Sequence, residues 1–173
     1  MSTLIVKNLD APTGESIVAP DLQLNVASSD LPTGSILQVV RDSTAPVNPT
    51  TSYTDLVSLN ITTKKANSRF LLMFSSRAYT WYLGNGGRQR VTYRFFDSTA
   101  STDLKVLDEM FQVRDFQLGG NMEYGIPFAH TMVYENAGYA AGATFQLKVQ
   151  AKKIESNNFQ SAFNDFQILE IAG

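Results

Sequence analysis

Thr144–Lys153 reads TFQLKVQAKK, and its apolar and polar residues alternate along the whole run. Phe145, Leu147, Val149 and Ala151 fall on one parity; Gln146, Lys148, Gln150 and Lys152 fall on the other. Successive side chains of an extended chain point to opposite faces, so a period of two marks a strand with one dry face and one wet face. A dry face needs a cover. In a chain rich in such segments, the cover is a second sheet.

Outward from this strand the same signal recurs. SILQVVR (35–41), DLVSLNITT (55–63), RFLLMFSSRAYTWYL (69–83), RQRVTYRFFD (88–97), IPFAHTMVYEN (126–136) and FNDFQILEIAG (163–173) each predict a strand. Asn85-Gly86-Gly87 predicts a tight turn, because Asn and Gly accept positive φ. Residues 98–117 are ambiguous: Leu104, Leu107 and Phe111 fit helical spacing, while MFQV fits a strand. Loop and strand are expected there, with room for one helical turn. The sum is an all-β chain, an antiparallel β-sandwich of jelly-roll type.

The strand over 69–83 is apolar on two faces at its start. Phe70, Leu72 and Phe74 point one way and Leu71 and Met73 the other. Such a strand lies between two layers, or between one layer and a neighbouring subunit.

Residues 1–34 differ from the rest. Pro12, Pro20 and Pro32 forbid a long helix, and Pro-Thr-Gly recurs at 12–14 and 32–34. Leu4, Ile5, Val6, Ile17, Val18, Leu22, Leu24 and Val26 form short apolar pieces. Two or three short strands bury little alone. Residues 1–34 are therefore expected to be an arm that pairs with other chains, and 35–173 the head domain.

The 173 residues suit one domain with an appendage, and 43% hydrophobic residues suffice for a core. With 17% charged residues and a formal charge of −2, the chain has no basic footprint for nucleic acid or anionic lipid. It contains no Cys, which excludes disulfides, thiolate chemistry and Cys-based zinc sites. MSTLIVKNLD has no secretory pattern, and no run approaches the roughly 20 apolar residues of a membrane span. Neither a cofactor motif nor a P-loop, GxSxG or GxGxxG is present.

GSILQVV (34–40), SLNITTKKANSRFLLMF (58–74), ATFQLKVQAK (143–152) and FQILEIAG (166–173), taken in that order, resemble the small fibre and tail-tip proteins of tailed bacteriophages. The opening IVKNLDAPTGESI is similar to that of many such virion proteins. Thr63 stands where that pattern has Pro, and Arg69 where it has Lys. The resemblance implies a homotrimer of TNF-like or complement-head-like jelly rolls. In it the N-terminal arm docks to the virion, and the head contacts the host surface. A capsid or neck decoration protein binding only virion subunits is the alternative. A carbohydrate-binding module and a polysaccharide-cleaving spike are alternatives of another class.

Arg77, Tyr79, Trp81 and Tyr82, with Arg88 beyond the turn, are the candidate glycan-contacting residues. Aromatic faces stack on sugar rings, and guanidinium groups hydrogen-bond hydroxyls. Core or interface packing is the competing reading for the same aromatics. Arg88 and Arg90 otherwise read as a solvated strand face. His130, the one histidine, alternates with Phe128 and Met132 and predicts a buried, hydrogen-bonded ring. A lone His without Cys makes no usual metal site. The acidic residues Asp97, Asp103, Asp108, Glu109, Asp115 and Glu123 are scattered, so no catalytic pair stands out. The expectation is no enzyme, no cofactor and no metal.

Overall fold

The structure is a computed structural model that describes residues 31–81, 88–114, 123–135, 138–154 and 159–173. Among the described residues eight strands run in chain order: β1 Ile36–Thr44, β2 Thr54–Thr62, β3 Arg69–Trp81, β4 Arg88–Asp97, β5 Thr102–Arg114, β6 Glu123–Glu135, β7 Thr144–Lys153 and β8 Phe159–Ile171. They form two four-stranded sheets, ordered β1-β8-β3-β6 and β2-β7-β4-β5. Every pairing is antiparallel. The chain changes sheet at each connection except β4 to β5, so sequence neighbours face each other across the sandwich. This is jelly-roll topology, as the strand pattern predicts.

The alternating residues behave as their parity requires. On β7, Phe145, Leu147, Val149 and Ala151 are buried, and they meet Phe70, Leu72, Phe74, Phe166 and Ile168 of the other sheet. Aromatic rings bridge the layers. Phe70 and Phe145 lie 5.1 Å apart edge-on, Phe74 and Phe95 lie 6.4 Å apart edge-on, and Tyr93 stacks on Phe128 at 4.5 Å. Edge-to-face and offset contacts of this kind suit the ring quadrupole and add to simple burial.

Over 98–117 the described residues are loop and strand, as expected, without a helical turn: 98–101 turn and Thr102–Arg114 is one long strand. Two strand starts need correction. β6 starts at Glu123, three residues before the expected Ile126. β8 starts at Phe159, four residues before the expected Phe163. The Asn85-Gly86-Gly87 turn lies outside the described residues.

Candidate functional site

The outer faces of the two sheets are built from the same strand geometry and opposite chemistry. On the β2-β7-β4-β5 sheet a polar chain crosses all four strands. Lys148 Nζ lies 2.7 Å from Asp55 Oδ2, and Gln150 donates to the other Asp55 oxygen. Arg94 Nε donates to Gln150 Oε1 at 2.6 Å, and Arg94 Nη1 to Asp103 Oδ1 at 2.7 Å. Tyr53 and Phe96 lie over the Arg94 guanidinium at 3.8 and 4.3 Å, and Lys152 lies 4.6 Å from the same Tyr53 ring. Burial opposes ionisation of Asp55, but Lys148 and Gln150 outweigh it and hold its carboxyl below the usual range. Each group has partners within the chain, so this face suits water.

The β1-β8-β3-β6 sheet turns a row of aliphatic side chains outward. The register places Val39 opposite Leu169, Leu169 opposite Leu71, and Leu71 opposite Val133. Ile36 lies opposite Ile171 at one end of the face, and Met73 flanks the row on the other side. Val39 and Val133 are 51% and 53% exposed, and Ile36 is 57% exposed. Leu71 and Met73 are half-buried, so the second apolar parity of β3 is real and only partly covered by the chain itself. Two ion pairs frame the row: Arg41 grips Asp165 through two 2.8 Å bonds, and Arg69 lies 3.1 Å from Glu135. A shallow depression of about 180 Å³, lined in part by Met73, Ser75, Ala129 and Thr131, lies on the same side.

Arg77 and Tyr79 of the glycan candidates are brought together on this face. The Arg77 guanidinium lies 4.9 Å above the Tyr79 ring, and both lie over Gly125 of β6. A Cβ at Gly125 would approach Arg77 to 3.0 Å and Tyr79 to 3.2 Å, so the bare glycine makes room for the pair. The backbone of Trp81 pairs with Glu123 at the end of β3. The side chains of Trp81 and Arg88, and the whole of Tyr82, lie outside the described residues. So do Leu4, Ile5, Val6, Ile17, Val18, Leu22, Leu24 and Val26.

His130 points inward as its parity predicts, but it is half-buried rather than buried, tilted 5.5 Å from Phe95. Burial first, and the Lys105 charge second, push its pKa down. Arg90 is likewise half-buried rather than solvated. Among the described residues no three of His, Cys, Asp and Glu cluster as metal ligands, and no helix is long and apolar enough to cross a membrane.

Two buried carboxylates have roles that the sequence does not announce: Glu170, and Asp97, which reads only as one of the scattered acidic residues. Glu170 is fully buried in β8. Its oxygens accept the backbone N–H groups of Lys64 (2.8 Å) and Lys65 (3.2 Å), the Ser68 hydroxyl (2.7 Å) and the Gln38 amide. Asp97, equally buried at the end of β4, accepts the backbone N–H groups of Thr99 (2.9 Å) and Ala100 (3.0 Å). It also accepts the hydroxyls of Tyr134 (3.1 Å) and Tyr139 (2.8 Å). A cavity of about 350 Å³, lined by Thr99, Leu104, Tyr134 and Tyr139, opens beside it. Both carboxylates are saturated with donors and act as clamps on turns. Such clamps leave a weak sequence signal, because the backbone partners of Glu170 and the tyrosine partners of Asp97 lie far away in the chain.

Neither a protein-family model nor a curated protein sequence matches this chain. Among solved structures, it is similar over 93% of its length to a chain of the T13 viral particle of infectious bursal disease virus, at 13% identity and a TM-score of 0.42. It is similar over 79% of its length to the VP2 subviral particle of the same virus, at 13% identity and a TM-score of 0.38. The chain spans 37% and 33% of those two chains. At such scores the likeness carries no functional weight.

Proposed function

We propose that this chain is a structural subunit of a virus particle, of the fibre or tail-tip type found in tailed bacteriophages, and not an enzyme. One observation carries the reading. Three of the segments that carry the resemblance meet at one buried carboxylate. Gln38 comes from GSILQVV, Lys64, Lys65 and Ser68 from SLNITTKKANSRFLLMF, and Glu170 from FQILEIAG. In this chain the segments quoted for the resemblance are thus held together by one device, the way this jelly roll closes. That contact supports reading them as one unit, and the apolar face supports a life among protein subunits.

In this reading residues 1–34 attach the protein to the particle, and the head is a homotrimer. Weak host contacts through Tyr79, Trp81 and their neighbours add up by effective concentration. Particles stripped of the protein and mixed with purified full-length chain provide the test. A virion subunit rebinds them and is absent from the supernatant; failure to associate with particles removes the reading. A fibre tip also binds host cells, and Trp81→Ala weakens that binding. A decoration protein binds particles and ignores cells.

A further inference from the structure

We infer that the outer face of the β1-β8-β3-β6 sheet is where one copy of this chain meets another, and that Phe163 is its protruding anchor. This deepens the subunit reading by naming the partner and the surface, and the contact stands even if the particle does not.

The extent of the face comes first. The row Val39–Leu169–Leu71–Val133 spans all four strands, roughly 14 Å at the usual strand spacing. From Ile171 along β8 to Phe163 is a further eight residues, roughly 26 Å of strand. A strip of roughly 14 by 26 Å is larger than a ligand pocket needs and is the size of a small, weak protein contact, one that gains from being repeated around an assembly.

Charge selects the partner. Among the described outward groups, Arg41, Arg69 and Arg77 stand against Asp165 and Glu135, and two of the three cations are closed in ion pairs. A polyanion or a lipid headgroup surface finds little field here, and with one cation left over a surface of the same composition meets little repulsion. The aliphatic row runs from one edge strand to the other between those pairs. A neighbouring copy can cover such a strip in a closed ring, as the homotrimer needs, where one copy's row packs against a different patch of the next. The opposite face, with its polar chain already satisfied, offers no comparable surface.

Phe163 supplies an independent observation. It is 69% exposed and holds φ at +55°, a left-handed conformation that a bulky side chain rarely adopts. It is the extra residue of a bulge: Ser75 pairs with Asp165 and Arg77 with Ala162, so β8 carries one residue more than β3. Beneath it, three buried polar side chains pin the backbone. Ser76 and Ser161 hydroxyls lie 2.7 Å apart, and both donate to Asn164 Oδ1, at 3.0 and 2.6 Å. The fold thus spends backbone strain to turn an aromatic ring outward on the apolar face. Strain of this sort is kept where a side chain is presented to a partner.

The test uses the full-length chain in light scattering across a concentration series, with far-UV circular dichroism as the check on folding. The wild type runs as an oligomer, and Val39→Lys with Val133→Lys runs as a folded monomer. Asn60→Lys, on the opposite sheet, leaves the oligomer unchanged. Phe163→Asn separates anchoring from folding, because Asn accepts positive φ more readily. It weakens association about tenfold or more while the monomer melts no lower than the parent. A monomeric wild type, or an oligomer indifferent to the two lysines, overturns the inference. So does a Phe163→Asn chain that loses stability and keeps its association. An oligomer lost with Leu22→Asp and Leu24→Asp, but kept with the two lysines, would assign the contact to the arm. An oligomer that never joins particles would remove the virion reading and leave this one standing.

Discussion

At the scale of single residues, Glu170 shows how much one buried carboxylate can hold. It faces only donors, so Glu170→Gln turns an amide N–H₂ toward a hydroxyl or backbone N–H and removes the charge that strengthened every bond. Losing a charged, buried acceptor costs about 1.5–3 kcal/mol. Urea denaturation is the measurement, and a change below about 0.5 kcal/mol would show that the Lys64–Ser68 turn does not depend on it. Asp97 makes a second residue-scale prediction through its tyrosines. Burial first, and the Asp97 charge second, push Tyr134 up from 10.0 to about 12. Burial also leads the upward shifts of Tyr139 and Tyr93. Between pH 10 and 12 the unfolded chain releases these phenolic protons while the folded chain keeps them. Fewer protons are then bound in the unfolded state, so stability falls as pH rises through this window. Denaturation midpoints measured from neutral pH to pH 12 will decline most steeply above pH 10. Tyr134→Phe will flatten part of that slope.

At the scale of elements, β7 offers the sharpest contrast between adjacent positions. Leu147 is buried at the centre of the core, and Lys148 is a half-exposed partner of Asp55. Leu147→Ala is expected to cost about 2–5 kcal/mol, and Lys148→Ala about 1 kcal/mol or less. Equal losses in equilibrium unfolding would mean that the strand does not have one dry face. The alternation that makes this prediction is plain in the sequence, as it is for β2 and β4. It fails in β5 for a physical reason. The β4–β5 ladder shifts register between Val91 and Tyr93 and again between Phe95 and Phe96. On β5 the matching partners are Phe111 and Leu107, then Lys105 and Asp103. Extra residues there stretch the apolar spacing from two toward four, so Leu107 and Phe111 imitate a helix. Phe163 was hidden in the same way, since FNDF looks like a strand beginning and contains a bulge. The aromatic candidates were legible as a cluster, yet only Arg77 with Tyr79 is seen joined, and it took the β3–β6 register to place Gly125 beneath them.

At the scale of the whole molecule, the question is whether the head stands alone. The first described residues are stitched to its last ones. Gly34 N–H donates to Ala172 O at 2.8 Å, Ala172 N–H to Ser35 O at 2.8 Å, and Lys65 Nζ to Leu31 O at 3.2 Å. The described buried cluster is drawn from β2, β3, β4, β5, β7 and β8. Removing 1–30 while keeping Leu31 is therefore expected to leave a β-rich domain that unfolds in one cooperative step. Its melting temperature should fall within about 5 °C of the full chain, a shift worth roughly 1–2 kcal/mol for a domain of this size. If the outer face of the β1-β8-β3-β6 sheet joins copies, the truncated protein keeps its oligomeric mass in light scattering. If the arm alone joins them, the mass drops to that of one chain. In the proposed virion role the same truncation abolishes binding to stripped particles, so one protein preparation separates folding, self-association and attachment. A truncated chain that is soluble but melts without cooperativity would place residues 1–30 inside the core, and the division at residue 34 would have to be redrawn.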